Sequence, residues 1–298
     1  MAQLFSQRGF SGSIKITPDE FSRFKELVYN LAGIFLQDNR AFMVENRFSH
    51  RLTELGFKTY TEYINFLKNG VKGKAEEINM LELITTNETS FFRDGPQLDA
   101  FRNYTLKELI DIGNKTGRRE LRIWSAGCSS GEEPYTLSII LHETLKNDFN
   151  KWRIRITAND ISTNVLNLAK RGVYTKYALR ATPQNIISKY FKQLDDNVFE
   201  VKPEVKKLVS FGKINLNDER AVRVIPRSQV VFCRNVIIYF DREMKKKVLN
   251  GFYSNLLDDG HLYVGHSESL HLITKDFRAK QHRGAISYRK VQAQTTIP

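Results

Sequence analysis

The sequence predicts an α/β protein, a mainly parallel sheet with helices between its strands, preceded by an all-helical domain. Three observations carry this. After residue 120, short apolar runs alternate with helical stretches. Before residue 86, apolar residues recur at helical spacing and no strand pattern appears. The length of 298 residues suits about two domains.

The helical part begins at Thr17-Pro18-Asp19-Glu20, which offers an N-cap, a proline at N1 and a Glu at N3, a capping box. Phe21, Phe24, Val28, Leu31 and Phe35 follow at helical spacing, with Gly33 as a stop. A second helix is expected from about Asp38 to Gly56, with Phe42, Phe48, Leu52 and Leu55 apolar. Its Arg40, Arg47 and Arg51 are spaced to share one side, a basic stripe that Glu54 dilutes. Thr59-Tyr60-Thr61-Glu62 reads as another capping box, and Ala75–Thr85 as a fourth helix. Residues 86–120 then join the two halves, with a helix expected over Gln97–Ile112 and a charged loop over Gly113–Glu120.

Beyond that junction, Leu121–Ser125, Ile154–Ala158, Leu208–Ile214, Val230–Cys233 and Leu262–Val264 read as buried strands, with Ala285–Tyr288 a further candidate. Glu132–Lys146, Thr163–Arg171 and Arg242–Leu257 read as helices. Ligands of such sheets bind at the carboxyl ends of strands, so each strand is read at that edge.

Composition narrows the function classes. The net charge is 46 − 33 = +13, which favours an anionic partner without naming one. Only Met1–Ser13 and Ala293–Pro298 are poor in core formers. Cys128 and Cys233 are too few for a disulfide scaffold or a four-cysteine zinc site, and no metal cluster is expected. No apolar run approaches the roughly 18–20 residues of a membrane span, and the N-terminus has no signal-peptide core. A soluble, cytoplasmic protein without membrane insertion is expected.

The strand ends carry the chemistry. Ser125-Ala126-Gly127-Cys128-Ser129-Ser130-Gly131-Glu132-Glu133 is a small-residue loop that lets a ligand approach the backbone. It lacks the spacing of a dinucleotide loop or a P-loop. Glu132 and Glu133 would repel a phosphate and welcome a cationic group. Asp160, ending the second strand, can accept from ribose hydroxyls or simply cap the next helix. Asn215 and Leu216 follow the third strand, and Arg234, Asn235, Val236 and Tyr239 the fourth. Upstream, Thr85–Asp94 sets polar side chains beside Phe91 and Phe92, in a segment able to close over a ligand.

Together the segments TTNETSFFRD, IWSAGCSSGEEPYTLSI, ANDIS, INLND, VFCRNVIIYFD and GHSES resemble the CheR family, the chemoreceptor glutamate O-methyltransferases of bacterial chemotaxis. They fall in that order over residues 85–269, and MVENRFSHRL is similar to the family's N-terminal domain. The resemblance implies a helical domain over 14–86, an inter-domain segment and helix over 87–120, and a Rossmann-like class I methyltransferase domain over 121–292. It also implies a small inserted antiparallel β subdomain at about 190–209, where Phe199–Lys202 and Leu208-Val209 are expected to pair. The donor implied is S-adenosylmethionine, leaving S-adenosylhomocysteine, and the acceptor is a receptor glutamate. By motif match Asn87, Thr89 and Arg93 would contact the cofactor, Glu132 or Glu133 its methionyl part, and Asp160 its nucleoside end. Asn215-Leu216 and Asn235-Val236 would line the adenine and sulfonium region, with Tyr239 near the transferred methyl.

A glutamate side chain, with a reference pKa of about 4.3, is already ionised at neutral pH and needs no general base. Tyr239 is therefore expected to orient the acceptor, Arg234 either to assist or to serve the fold, and His266 to be structural. Arg40, Arg47 and Arg51 are expected to meet the acidic methylation region of receptor cytoplasmic helices. The short Gln193–Asn197 loop departs from family members that dock a receptor's C-terminal pentapeptide and argues against such a tether. Two rival readings are a nucleic-acid methyltransferase, suggested by the charge, and a non-catalytic cofactor-sensing protein. Amine-methylating enzymes often carry Asn/Asp-Pro-Pro-aromatic after the fourth strand. Arg234-Asn235-Val236-Ile237 stands there instead, so no nucleic-acid partner is expected.

Overall fold

The computed structural model describes residues 14–85 and 88–291, so Asn87 and both chain ends lie outside the described residues. The chain divides between Thr86 and Asn87 into two compact units. Among the described residues no helix is long and apolar enough to cross a membrane.

The first unit has helices α1 (Pro18–Ala32), α2 (Ala41–Glu54), α3 (Tyr60–Lys68) and α4 (Gly70–Ile84). Both halves of the Thr17/Glu20 capping box form, and α1 stops at Gly33, whose φ of 73° suits glycine. The second box forms only in half. Thr59 accepts from the Glu62 amide, but Glu62 reaches the Lys58 amide at 2.7 Å. Helix α4 starts at Gly70, ahead of the expected Ala75, because Gly73 lies against α3: a Cβ there would stand 2.3 Å from the Phe66 carbonyl oxygen. Propensity counts that glycine as a breaker, while packing requires it. Phe24, Val28, Val44, Phe48, Leu52 and Tyr63 are buried, with Phe24 and Phe48 edge to face at 5.1 Å.

The expected basic stripe is divided. Arg40 is exposed. Arg47 Nη1 donates to the Leu83 and Ile84 carbonyls at 3.0 and 2.8 Å, satisfying the end of α4. Arg51 pairs with buried Glu76, its Nε 2.8 Å from Oε1, and with Glu54. Two of the three arginines therefore bind α2 to α4, because orphan helix carbonyls and a buried carboxylate both need donors.

In the second unit α5 (Gly95–Ala100), a π-helical turn (Phe101–Leu106) and α6 (Lys107–Thr116) run on as one helical stretch. It passes the expected end at Ile112, because Gly113 accommodates the Trp152 ring and does not break the helix; a Cβ would lie 2.4 Å from that ring. Then come β1 (Glu120–Ala126), α7 (Glu132–Leu145), β2 (Arg153–Asp160), α8 (Thr163–Arg171), β3 (Val173–Thr175), α9 (Gln184–Tyr190), β4 (Phe191–Asp195) and β5 (Val198–Val201). The chain continues through α10 (Pro203–Lys206), β6 (Val209–Lys213), α11 (Glu219–Arg223), β7 (Ser228–Cys233), α12 (Arg242–Asn255), β8 (Leu256–Val264), β9 (Phe277–His282) and β10 (Ala285–Lys290).

The main sheet has the order β6-β2-β1-β7-β8-β10-β9. Its first five strands are parallel, and β10 and β9 add an antiparallel edge. This is a Rossmann-like sheet with the strand sequence reversing at β1, the topology the sequence resemblance implies. Trp124, Phe232, Leu262 and Tyr263 fill the interior with no exposed surface. Strand β9 escapes sequence reading because Arg278–Gln281 are all exposed, leaving no alternation.

The small antiparallel sheet has the order β3-β5-β4. It starts at Val173, and the expected pairing of 199–202 with 208–209 does not occur. Phe199 pairs with Tyr174 and Gln193, while Val209 pairs with Ile156 in the main sheet. Strand β3 has only three residues, one of them buried, too few for a period. Only Asp196 and Asn197 separate β4 from β5.

Candidate active site

The carboxyl ends of β1, β2, β6 and β7 meet at one edge of the sheet, and their loops interlock. The β1 loop turns at Gly127, with φ 78°; a Cβ there would stand 2.4 Å from Val236 Cγ2 in the β7 loop. Only glycine allows both that conformation and that approach. The Gly127 and Cys128 amides donate to the Asn159 carbonyl at 2.8 and 2.9 Å. Asp160 completes the attachment: it accepts from the Ser129 amide at 2.8 Å and from the Ser162 amide at 3.0 Å. Burial raises the Asp160 carboxyl above its ordinary range, against the pull of those amides.

Glu132 and Glu133 open α7 and diverge in their partners. Glu132 accepts from Ser130 Oγ and is buried. Glu133 accepts from Ser125 Oγ at 2.7 Å and lies 3.4 Å from Arg234 Nη1. Burial raises both carboxyls; the Ser130 hydrogen bond opposes this at Glu132, and the Arg234 charge opposes it at Glu133. Arg234 is itself buried. Its Nη2 donates to the Arg93 carbonyl at 2.6 Å and stands 3.8 Å from Asp94, while its Nε has no hydrogen-bond partner. The guanidinium thus joins the β7 loop to the segment before α5.

That segment is fixed on two sides. The Phe91 amide donates to the Ala178 carbonyl at 2.9 Å, and its ring stands edge-on to Tyr174 and Phe191. The Phe92 amide donates to Thr136 Oγ1 at 3.1 Å, and Arg93 Nη1 to the Glu88 carbonyl at 2.9 Å. Thr89 is half-buried in the same strip. Asn215, its Oδ1 accepting from the Asn217 amide, is half-buried beside buried Leu216. Tyr239 is half-buried and ends the 3₁₀ turn Ile237–Tyr239. Phe92, Asp94, Ser129 and Asn235 all adopt positive φ, so left-handed non-glycine residues gather in these loops.

Sequence reading missed Glu268 as an individual residue, although it lies in the GHSES segment. Its buried carboxylate accepts from the Asn235 and Ile238 amides, both at 2.9 Å, and from the Gly265 amide at 2.5 Å. One side chain therefore shapes both the turn leading to Tyr239 and the loop after β8. His266, by contrast, is 79% exposed, with Nδ1 4.0 Å from Asp94.

Two family models match the chain in tandem. One is described as CheR methyltransferase, all-alpha domain, over residues 19–85, and the other as CheR methyltransferase, SAM binding domain, over residues 87–286. The chain belongs to the CheR methyltransferase family. A chemotaxis protein methyltransferase of Borreliella burgdorferi is 41% identical over 265 residues, covering 89% of this chain and 93% of its own. Chemotaxis protein methyltransferase 2 of Vibrio cholerae is 33% identical, covering 93% and 94%. A solved magnesium protoporphyrin IX methyltransferase from Synechocystis, with bound S-adenosylmethionine, covers 72% of this chain and 87% of its own at 12% identity and a TM-score of 0.31.

The cofactor of the CheR family domain is S-adenosylmethionine, and the residues present fit it. Two buried carboxylates, Asp160 and Glu132, and the half-buried Glu133 line the loops after β1 and β2. They disfavour a phosphate and suit a ligand carrying a sulfonium, an ammonium and ribose hydroxyls. Beside them, the missing side chain at Gly127 leaves room for Val236, a cradle in which the β1 and β7 loops close on each other. Gly127→Ala adds about 1–2 kcal/mol of left-handed strain and a collision with Val236. Calorimetry should show S-adenosylhomocysteine binding weakened by about tenfold, partly restored by adding Val236→Ala. Unchanged affinity in the single variant would remove the cradle from the site.

Proposed function

We propose that this chain transfers the methyl group of S-adenosylmethionine to glutamate side-chain carboxylates of chemoreceptors, giving glutamyl methyl esters and S-adenosylhomocysteine in chemotaxis adaptation. The observation that carries this reading is the β7 turn. Arg234-Asn235-Val236-Ile237 stands where amine methyltransferases hold their acceptor, and Arg234 is engaged with Glu133 and the Arg93 carbonyl. An acceptor that is already an anion needs no proton removed. The names and coverage of the relatives support the chemotactic setting and a cytoplasmic location.

When bound, the cofactor supplies an activated methyl on a cationic sulfur. In this reading Asp160 accepts from its ribose, Glu133 or Glu132 from the ammonium of its methionyl part, and Thr89 and Arg93 contact it from the segment before α5. Asn215-Leu216 and Asn235-Val236 enclose the adenine and sulfonium region. Tyr239 donates to the incoming carboxylate and holds it in line, and closure of the site excludes water. Arg234 acts as a positioning residue: its charge is matched inside the protein and it sets where Glu133 and Arg93 stand. Glu268 positions the Tyr239 turn in the same way.

Recognition begins with charge. Arg40, together with the residual positive potential of Arg47 and Arg51, steers the acidic face of the receptor helices. Exposed ion pairs are worth ~0–1 kcal/mol each, so this sets rate and register more than affinity. The short β4–β5 turn supports recognition without a pentapeptide tether.

The decisive experiment offers methyl-labelled S-adenosylmethionine with purified receptor cytoplasmic helices or with RNA. Label on the helices that alkali releases as methanol is the expected result, since esters hydrolyse and N-methyl groups do not. Label on RNA alone would establish the nucleic-acid reading, and binding without transfer the cofactor-sensing one. Tyr239→Phe should lower kcat about tenfold or more while S-adenosylhomocysteine affinity stays within twofold, a loss of about 1.4 kcal/mol confined to the transition state. Lost affinity with normal turnover would place Tyr239 on the cofactor.

A further inference from the structure

The stretch that runs from α8 into β4 of the inserted subdomain has an unusual charge pattern. From Ile161 to Leu194 the chain carries Lys170, Arg171, Lys176, Arg180, Lys189 and Lys192 and no Asp or Glu. Two of these cations, Lys176 and Arg180, flank the 3₁₀ turn Lys176–Leu179, which is attached directly to the active-site segment through the Phe91 amide and the Ala178 carbonyl. The neighbouring Tyr174 hydroxyl donates to the Ser130 carbonyl at 2.7 Å, so the same stretch is also tied to the β1 loop.

Arg180 is held in place while staying accessible. Its guanidinium lies 4.1 Å over the Tyr177 ring, and Nη1 donates to the Tyr177 carbonyl at 3.0 Å. Nη2 is 3.5 Å from Glu88, one residue before Thr89. The side chain is 36% exposed and Tyr177 is 65% exposed. A guanidinium has five N–H donors, so this fixed group keeps several for a planar carboxylate. Stacking on an aromatic ring removes rotamer freedom before binding, which favours a recognition contact.

We propose that Arg180, stacked on Tyr177 at the rim of the inserted subdomain, recognises the acidic acceptor segment by taking a carboxylate that neighbours the reactive glutamate. This rests on the chemoreceptor reading above. The contact gives the insertion a direct part in selecting which glutamate is methylated: the acceptor enters between Tyr239 and the rim at which Lys176 and Arg180 supply positive charge.

The test is methyl transfer to purified receptor cytoplasmic helices by wild type, Arg180→Glu and Tyr177→Ala. Arg180→Glu should raise KM for the helices about tenfold, Tyr177→Ala should raise it less, and both should leave S-adenosylhomocysteine affinity within twofold by calorimetry. Helices in which acidic residues within two turns of the acceptor are changed to lysine should restore Arg180→Glu and impair wild type. A purely structural Arg180 would lower cofactor affinity and show no such exchange. Wild-type transfer with an unchanged KM in Arg180→Glu would overturn this inference alone. Absence of wild-type transfer would overturn the function reading with it. RNA binding lost in Arg180→Glu, with helix methylation unaffected, would assign the rim to a different partner.

Discussion

Asp160→Ala is expected to weaken S-adenosylmethionine binding at least tenfold, about 1.4 kcal/mol. Two effects add. The variant removes the acceptor assigned to the ribose. It also frees the Ser129 amide, bonded at 2.8 Å, so the β1 loop loses one of its attachments to β2. That carboxylate is buried, and its bonds to amides outweigh its cost only while the loop is closed. Calorimetry with S-adenosylhomocysteine on the folded variant is the measurement. Asp160→Asn separates the two effects, since the amide oxygen can keep one backbone contact and should bind better than alanine does. Equal affinity for wild type and alanine variant would remove Asp160 from the cofactor site.

Arg51→Ala is expected to loosen the helical unit by about 3 kcal/mol, the low end for breaking a buried pair, because Arg51 is itself 28% exposed. Glu76 would be left with Tyr63 and Asn79 as partners and with no cation. Native-state hydrogen exchange in α2 and α4 should lose about two orders of magnitude of protection. The pH dependence has a definite sign. Burial by itself raises the Glu76 carboxyl, but Arg51, Asn79 and Tyr63 together carry it below its ordinary value. A carboxyl depressed in the folded state contributes stability above its unfolded pKa, about 4.5, and loses it as pH falls through the depressed value. Wild-type protection should therefore hold from neutral pH to about 5 and then decline. In Arg51→Ala the unpaired, buried Glu76 shifts upward, so acidification should relieve the variant. Parallel acid profiles for the two proteins would show that the pair contributes nothing to the unit.

Much of the architecture was legible because its signals are local. The Thr17/Glu20 box, the helix Thr163–Arg171 and the apolar runs of the parallel strands each depend on neighbours within a turn or a pleat. The site loops were legible for a related reason. A parallel sheet brings its strand ends together, so Gly127, Asp160 and Asn235 could be placed at one edge before any distance was known. Local signals failed where packing outvoted them. Helices expected to begin at Ala75 and to end at Ile112 run on through Gly73 and Gly113, because α3 and Trp152 need the space that a side chain would occupy. Strands β3 and β9 were too short or too polar to show a period.

By itself the sequence determined the class of fold, the order of the chemical segments and the cationic character of the ligand, since these follow from residue type and spacing. Only the tertiary structure decided which charges are free. Arg40, Arg47 and Arg51 look equivalent along one helix, but Glu76 and the α4 carbonyls hold two of them. Arg234 looks like a group for substrate, but it is buried between Glu133 and the Arg93 carbonyl. Glu268 looks like one polar residue among several, yet it accepts three amides from two loops. The physical reason is common to all three cases. The free energy of a charged side chain depends on its burial and on partners far away in sequence, and both come into being only when the chain folds.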